Sequence, residues 1–331
     1  MRSGEGAGGE ALNVRTLTKV LALTTVGVTA FAVAPYLIPG RRRPRLLHED
    51  LASPDDRFVT VDGFRMRYQV KGEGTPLVLI HGFASSIVTW HRNIDDLARD
   101  HRVYAIDLKG WGLSDKPSDG DYSLLAQAHH LRAFMTAVGI ERAVLVGHSM
   151  GGTVCMHFAI EYPAAVLGIV LVDPAGARRF PYLWVLSHAL ELPVLRRWMR
   201  LGMQYAMSNE TLISSGMPRA YYNPAFLTPE MKASLIAPFH TEGFDDAFIK
   251  FSRDMRHLKL HGRTHRVQCP TLIVWGEHDL VVPPADGRYF VDQIQNSRLV
   301  ILPKAGHLPH DEQAETVNGL IREFTASLQT A

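Results

Sequence analysis

Several short stretches of the chain are apolar at every position, and polar residues collect between them. Four such runs, at 77–80, 103–106, 143–146 and 169–172, show almost no polar alternation, as strands buried on both faces do. Ahead of them the stretches 58–61 and 66–70 flank Asp62 and Gly63, a pair that predicts a tight hairpin turn. Helical spacing fills the gaps at 87–97, 122–138 and 150–162. Strand, helix, strand in succession predicts an α/β fold with a mostly parallel sheet flanked by helices.

The rhythm breaks after Asp173. Residues 177–262 carry apolar-rich helical stretches at 184–201, 229–236 and 245–255 but no comparable strand. Strands return at 271–275 and 299–302, with helical patterns at 284–294 and 311–328. The sheet is therefore expected to have eight strands, in a core over 56–176 and 263–331. A helical lid is expected over 177–262, inserted after the sixth strand.

The beginning of the chain reads differently. Residues 1–19 are polar and Gly-rich, 20–38 carry no charge, and a basic linker over 39–55 follows with Arg41, Arg42, Arg43 and Arg45. A helix over 20–38 would reach roughly 28 Å, near the thickness of a bilayer's hydrocarbon layer. This predicts a single-pass N-terminal membrane anchor. Two further readings of the same residues stay open: a cleaved signal, from the Ala32-Val33-Ala34 run, and a surface-lying segment. Basic residues flank the segment more densely after it than before it, which predicts a cytoplasmic catalytic domain.

Composition narrows the field. A chain of 331 residues, 46% hydrophobic, is long enough for one large core with an inserted subdomain. Its 35 basic and 33 acidic residues nearly cancel, so no net field draws it to nucleic acid. Cys155 falls in a helical stretch and Cys269 just before a strand, and two buried free thiols are expected. There is no His-Glu-x-x-His run and no phosphate loop ending in Lys-Ser or Lys-Thr, so no metal or other cofactor is expected.

The chemistry concentrates at strand ends. Gly147-His148-Ser149-Met150-Gly151-Gly152 follows the run 143–146 and opens a helix, the arrangement of a nucleophile elbow, which lifts a serine hydroxyl beside a helix N-terminus. Taken alone, the same motif also reads as a Gly-rich helix start capped by serine. His81-Gly82-Phe83-Ala84 follows the run 77–80, where the N–H groups of Phe83 and Met150 would form an oxyanion hole. Asp279 lies just past the strand 271–275, and His307 just past 299–302. Ser149, Asp279 and His307 thus stand in the order nucleophile, acid, base. Asp173, which also ends a strand, is a rival for the acid. His310 is a rival for the base, read here as a surface or capping residue. His148 is expected to point away from Ser149, Asp107 to hold a loop by accepting hydrogen bonds, and Glu277 and His278 to be solvated.

Together these motifs resemble the α/β-hydrolase superfamily over roughly residues 56–328. His81-Gly82-Phe83, Asp107-x-x-Gly110-x-Gly112-x-Ser114-Asp115, the elbow at Ser149, Trp275-Gly276-x-x-Asp279 and Gly306-His307 carry the match. The N-terminal apolar segment, the Ser-Met-Gly-Gly elbow and the run from Asp173 to Gly176 are similar to those of membrane-anchored monoacylglycerol lipases. The resemblance implies an esterase or lipase acting on a small apolar ester, such as a lipid-like monoester, with a membrane as partner and no nucleic acid.

A serine at the elbow, where some relatives carry a carboxylate, implies acyl transfer through an acyl-enzyme. Phe180, Tyr182, Leu183, Trp184, Leu186, Leu190, Leu195, Trp198 and Met199 are candidates to line an acyl channel, or else they simply bury the lid. Hydrolysis of another bond by the same three residues (carbon–carbon or an N-terminal proline amide), and a non-catalytic binding role, are the alternatives.

Overall fold

In the computed structural model of the protein, the described residues are 27–39, 46, 48–177, 181–207, 209–254, 260 and 262–329. Eight strands form one sheet: β1 (Arg57–Val61), β2 (Phe64–Lys71), β3 (Thr75–Ile80), β4 (His101–Ile106), β5 (Ala143–His148), β6 (Val166–Val172), β7 (Thr271–Gly276) and β8 (Ser297–Leu302). Their spatial order is β1-β2-β4-β3-β5-β6-β7-β8. β1 and β2 form an antiparallel hairpin and β2 runs antiparallel to β4, while the other neighbours are parallel. The hairpin closes between Val61 and Phe64 through Asp62 and Gly63, at φ +48° and +83°. Two positive φ values in succession suit the strand twist of a two-residue turn.

The uninterrupted apolar runs follow from burial on both faces of the sheet. Val78 and Ile80 of β3 point into a core with Leu131, Phe134, Val154 and Phe158, and Leu77 and Leu79 into a second with Trp90, Leu97, Val317 and Ile321. Each such side chain contributes about 1.5–3 kcal/mol by leaving water. The helix Met150–Glu161 lies against the sheet with every residue from Met150 to Ile160 buried.

Between β6 and β7 the chain forms helices at Pro181–Ala189, Pro193–Met207, Pro229–Ile236 and Phe244–Asp254. Pro193 opens a helix of its own, which splits the stretch expected as one helix over 184–201; proline suits a first turn and breaks an interior one. Phe244, Phe248 and Phe251 pack edge-on against Trp111, joining the inserted helices to the core.

The expectation of a single-pass membrane anchor is overturned. Among the described residues no helix is long and apolar enough to cross a membrane. Within the expected span, 20–26 lie outside the described residues, and the described helical stretch 27–37 spans about 17 Å. That helix rests on the inserted segment: Phe31 stacks on Trp198, and Arg197 donates to the carbonyls of Pro35 and Ile38. The cytoplasmic placement, inferred from charges flanking a span, falls with it. The polar stretch 1–19 and the arginines at 41–45 lie outside the described residues. Both cysteines are free thiols, Cys155 buried and Cys269 partly so, and burial raises the Cys269 thiol to about 11.

Candidate active site

Ser149 sits where β5 turns into the helix Met150–Glu161, at φ +51° and ψ −114°. A non-glycine residue is strained in that region, and the surroundings hold it there. Its N–H donates to Val172 O of β6 (2.9 Å), and its carbonyl accepts from Ala175 (3.1 Å). A Cβ on Gly151 would strike the carbonyls of Ile80 and His81, so glycine is what allows the helix start to press against the end of β3.

His307 and Asp279 follow β8 and β7. The His307 Nδ1–H donates to Asp279 Oδ2 at 2.7 Å, and Asp279 Oδ1 accepts the N–H groups of Val281 (2.7 Å) and Val282 (2.9 Å). A carboxylate on Nδ1 fixes the neutral tautomer whose Nε2 lone pair can take a proton. The His307 N–H donates to Ala220 O (2.7 Å), tying this histidine to the inserted segment.

The loop after β3 meets the elbow. A Cβ on Gly82 would lie 3.3 Å from Ser149 Cβ, which brings the 81–84 turn against the helix start carrying Met150. His81 braces this turn, its Nδ1 donating to Gly82 O (2.7 Å) and its Nε2 accepting from Leu108 N–H (3.1 Å). Burial lowers its basicity and keeps it neutral for that pairing. Phe83 is about two-fifths exposed, its ring packed against Phe248 and Phe251.

A cavity of about 250 Å³ opens over Ser149 and His307. Its far wall comes from Met217, Ala220, Tyr221 and Leu235 of the inserted segment. Among the described residues, none of those expected to line an acyl channel lines this cavity. Leu190 is buried, Leu186 is exposed and Trp198 stacks on Phe31, while Phe180 and the side chains of Tyr182, Leu183 and Trp184 lie outside the described residues. Helix Pro193–Met207 faces the N-terminal segment and helix Phe244–Asp254 instead of the serine.

Some neighbours have roles the sequence did not reveal. His310, expected at the surface, is fully buried, 4.3 Å from the Trp90 ring and 4.6 Å from His148. Burial, then the charge on His307, pushes its pKa down to about 3. His148 Nε2 donates to His307 O (2.8 Å), and its ring lines the cavity next to Ser149. Asp107 accepts from Ile87 and Leu113 N–H groups and pairs with Arg67, as a loop-holding residue does. Glu277 and His278 are exposed.

Asp173 Oδ1 accepts from Gly276 N–H (2.9 Å). Oxygens of Asp173 and Asp279 and a ring nitrogen of His307 lie within 4.8 Å of one another, a set of atoms that could also hold a metal ion. In this structure His307 Nδ1 and Asp279 Oδ2 bond to each other, and Asp173 Oδ1 to the Gly276 N–H.

The family model described as the alpha/beta hydrolase fold matches residues 75–314. A dihydrolipoyllysine-residue acetyltransferase component of an acetoin cleaving system from Pseudomonas putida is 31% identical over 277 residues, 82% of this chain and 69% of that protein. A 2-hydroxy-6-oxononadienedioate/2-hydroxy-6-oxononatrienedioate hydrolase from Comamonas testosteroni is 26% identical, over 83% and 98% of the two chains. Among solved structures, a thermophilic esterase from Thermogutta terrifontis superposes with a TM-score of 0.69 at 25% identity, over 82% and 98% of the chains. By the sheet order and the family match, the chain belongs to the α/β-hydrolase fold family and is a hydrolase.

Proposed function

We propose that this protein hydrolyses carboxylic esters through an acyl-enzyme on Ser149. His307 is the general base, Asp279 its orienting carboxylate, and the N–H groups of Phe83 and Met150 the oxyanion hole. The observation that carries the reading is the 2.7 Å bond between His307 Nδ1 and Asp279 Oδ2, with both His307 and Ser149 lining one cavity.

In the proposed reaction His307 Nε2 takes the proton as Ser149 Oγ attacks the ester carbonyl, and Asp279 stabilises the imidazolium. Collapse expels the alcohol, which leaves with that proton. Water, deprotonated by the same nitrogen, then attacks the acyl carbon, releases the acid and restores the serine. Each oxyanion donor is worth about 3 kcal/mol in the transition state.

The wall of Met217, Ala220 and Leu235 favours an apolar acyl group, so lipid-like monoesters such as monoacylglycerols are the proposed class, with the inserted helices as a lid. The Comamonas relative's name supports one alternative, hydrolysis of a carbon–carbon bond by the same serine.

The test is a panel of acyl esters of graded chain length and a dienoic diketone, with fluorophosphonate labelling of the whole chain. Ester turnover and labelling, both lost in Ser149→Ala by about 10⁵-fold or more, are expected. An unlabelled folded protein overturns the reading, and turnover of the diketone alone replaces it with the carbon–carbon reaction.

A further inference from the structure

Asp173 is a second buried carboxyl group beside the Asp279–His307 pair, and the mechanism above gives it no part. It ends β6 at φ +44°, a region that aspartate tolerates better than most residues, with its N–H bonded to Val274 O (2.9 Å). It has no exposed surface. The groups facing it are Gly276 N–H and Asp279 from the end of β7 and the loop beyond, His307 from the loop after β8, and Glu312 from the helix that follows.

Counting donors shows where negative charge is held. Asp279 accepts two backbone N–H groups and His307 Nδ1–H. Glu312 accepts the N–H groups of Asn223 (2.9 Å) and Gly306 (2.7 Å). Asp173 accepts one, on Oδ1, and its buried Oδ2 has no donor among the described residues. Two carboxylates this close cannot both ionise in a dry site, and the one with fewer donors keeps the proton.

We infer that Asp173 is a neutral carboxylic acid whose Oδ2 hydrogen is directed at Asp279, making it a positioning residue for the Asp279–His307 pair. Burial, followed by the charge on Asp279, drives the Asp173 carboxyl well above the usual carboxylate range, in keeping with this geometry. A donor on Asp279 disperses its charge and weakens its pull on the proton that His307 must keep while it is an imidazolium. The inference rests on the proposed triad, so its tests include one that does not depend on turnover.

Infrared spectra of the whole protein at neutral pH should contain a protonated-acid carbonyl band that disappears in Asp173→Asn; absence of that band overturns the inference whatever the substrate proves to be. In kinetics, Asp173→Asn preserves a neutral donor and should leave the acid limb of kcat/KM where it is. If Asp173 were ionised, removing its charge would lower that limb by about one unit or more, which also overturns the inference. Asp173→Ala removes the donor and should raise the limb, and an unmoved limb in that variant shows that no donation takes place. Fluorophosphonate labelling of Ser149 in the same variants reports separately on the triad.

Stability gives a further readout. The native state holds a proton that the unfolded chain releases above its ordinary carboxylate pKa, so stability falls as pH rises from there toward the raised native value. The Tm advantage of Asp173→Asn over the parent should therefore widen from pH 5 to pH 8. A constant or narrowing gap contradicts a neutral Asp173.

Discussion

Helix Met150–Glu161 and helix Pro193–Met207 are of similar length and sit under opposite constraints. The first is buried from Met150 to Ile160 between the sheet and its neighbours, and its N-terminus carries Ser149. The second has no buried residue and rests on the N-terminal segment and on helix Phe244–Asp254. A closely packed neighbourhood resists any change of shape, which suits Ser149, the proposed nucleophile, with its strained backbone. The inserted segment, which supplies the wall of the cavity, can vary at much lower cost.

The sharpest test of that contrast lies at the strand ends. Asp279→Asn keeps the shape but reverses the His307 tautomer, and kcat should fall by about 10⁴-fold with little change in Tm. A loss under tenfold would move the acid elsewhere. Gly151→Ala should cost about 3 kcal/mol in urea unfolding, because its Cβ meets the backbone carbonyls of Ile80 and His81.

The buried histidine beside the elbow should appear in acid denaturation. His310 is neutral in the native state, with a pKa of about 3, and takes up a proton on unfolding. Stability is therefore lost as pH falls from about 6.5 toward 3, with this one group contributing about 1.4 kcal/mol per pH unit. His310→Phe should flatten the slope, and an unchanged slope would show that His310 is already protonated in the native state. On the inserted side Leu235→Trp, which narrows the wall, should change the preference between short and long acyl esters by roughly tenfold with little change in Tm. Gly202→Ala should be the mildest change, a gain of about 1 kcal/mol, because no described residue lies within 4 Å of the added methyl in that helix without buried residues. Similar losses from the two glycine variants would erase the distinction between the helices.

The same contrast decides what could be read from the sequence. Strands buried on both faces leave uninterrupted apolar runs, and Asp62-Gly63 marks a hairpin by its backbone needs, so the eight strands were legible. Ser149, Asp279 and His307 could be singled out because each comes at or shortly past the end of such a run, and the structure sets His307 against Asp279 and, with Ser149, along one cavity. The wall of the cavity was not, because Met217 and Leu235 come from short helices whose docking no local periodicity encodes. His310 was misread because Pro309, His310 and Asp311 form a polar-looking helix start that happens to be buried. The uncharged segment 20–38 misled because lack of charge describes a stretch and says nothing of its partners, here Trp198 and Arg197 for the part described.

A Cβ placed on Gly176, just past β6, would lie 3.9 Å from Leu260 Cδ1, near the end of the inserted segment. The excursion thus leaves the sheet and comes back at a single doorway. Closing a loop whose ends already meet depends only weakly on its length, so the sheet is largely indifferent to what hangs there. A different set of helices could be grafted at that doorway, and the hydrolase would exchange its substrate range as a detachable module while its catalytic frame stayed in place.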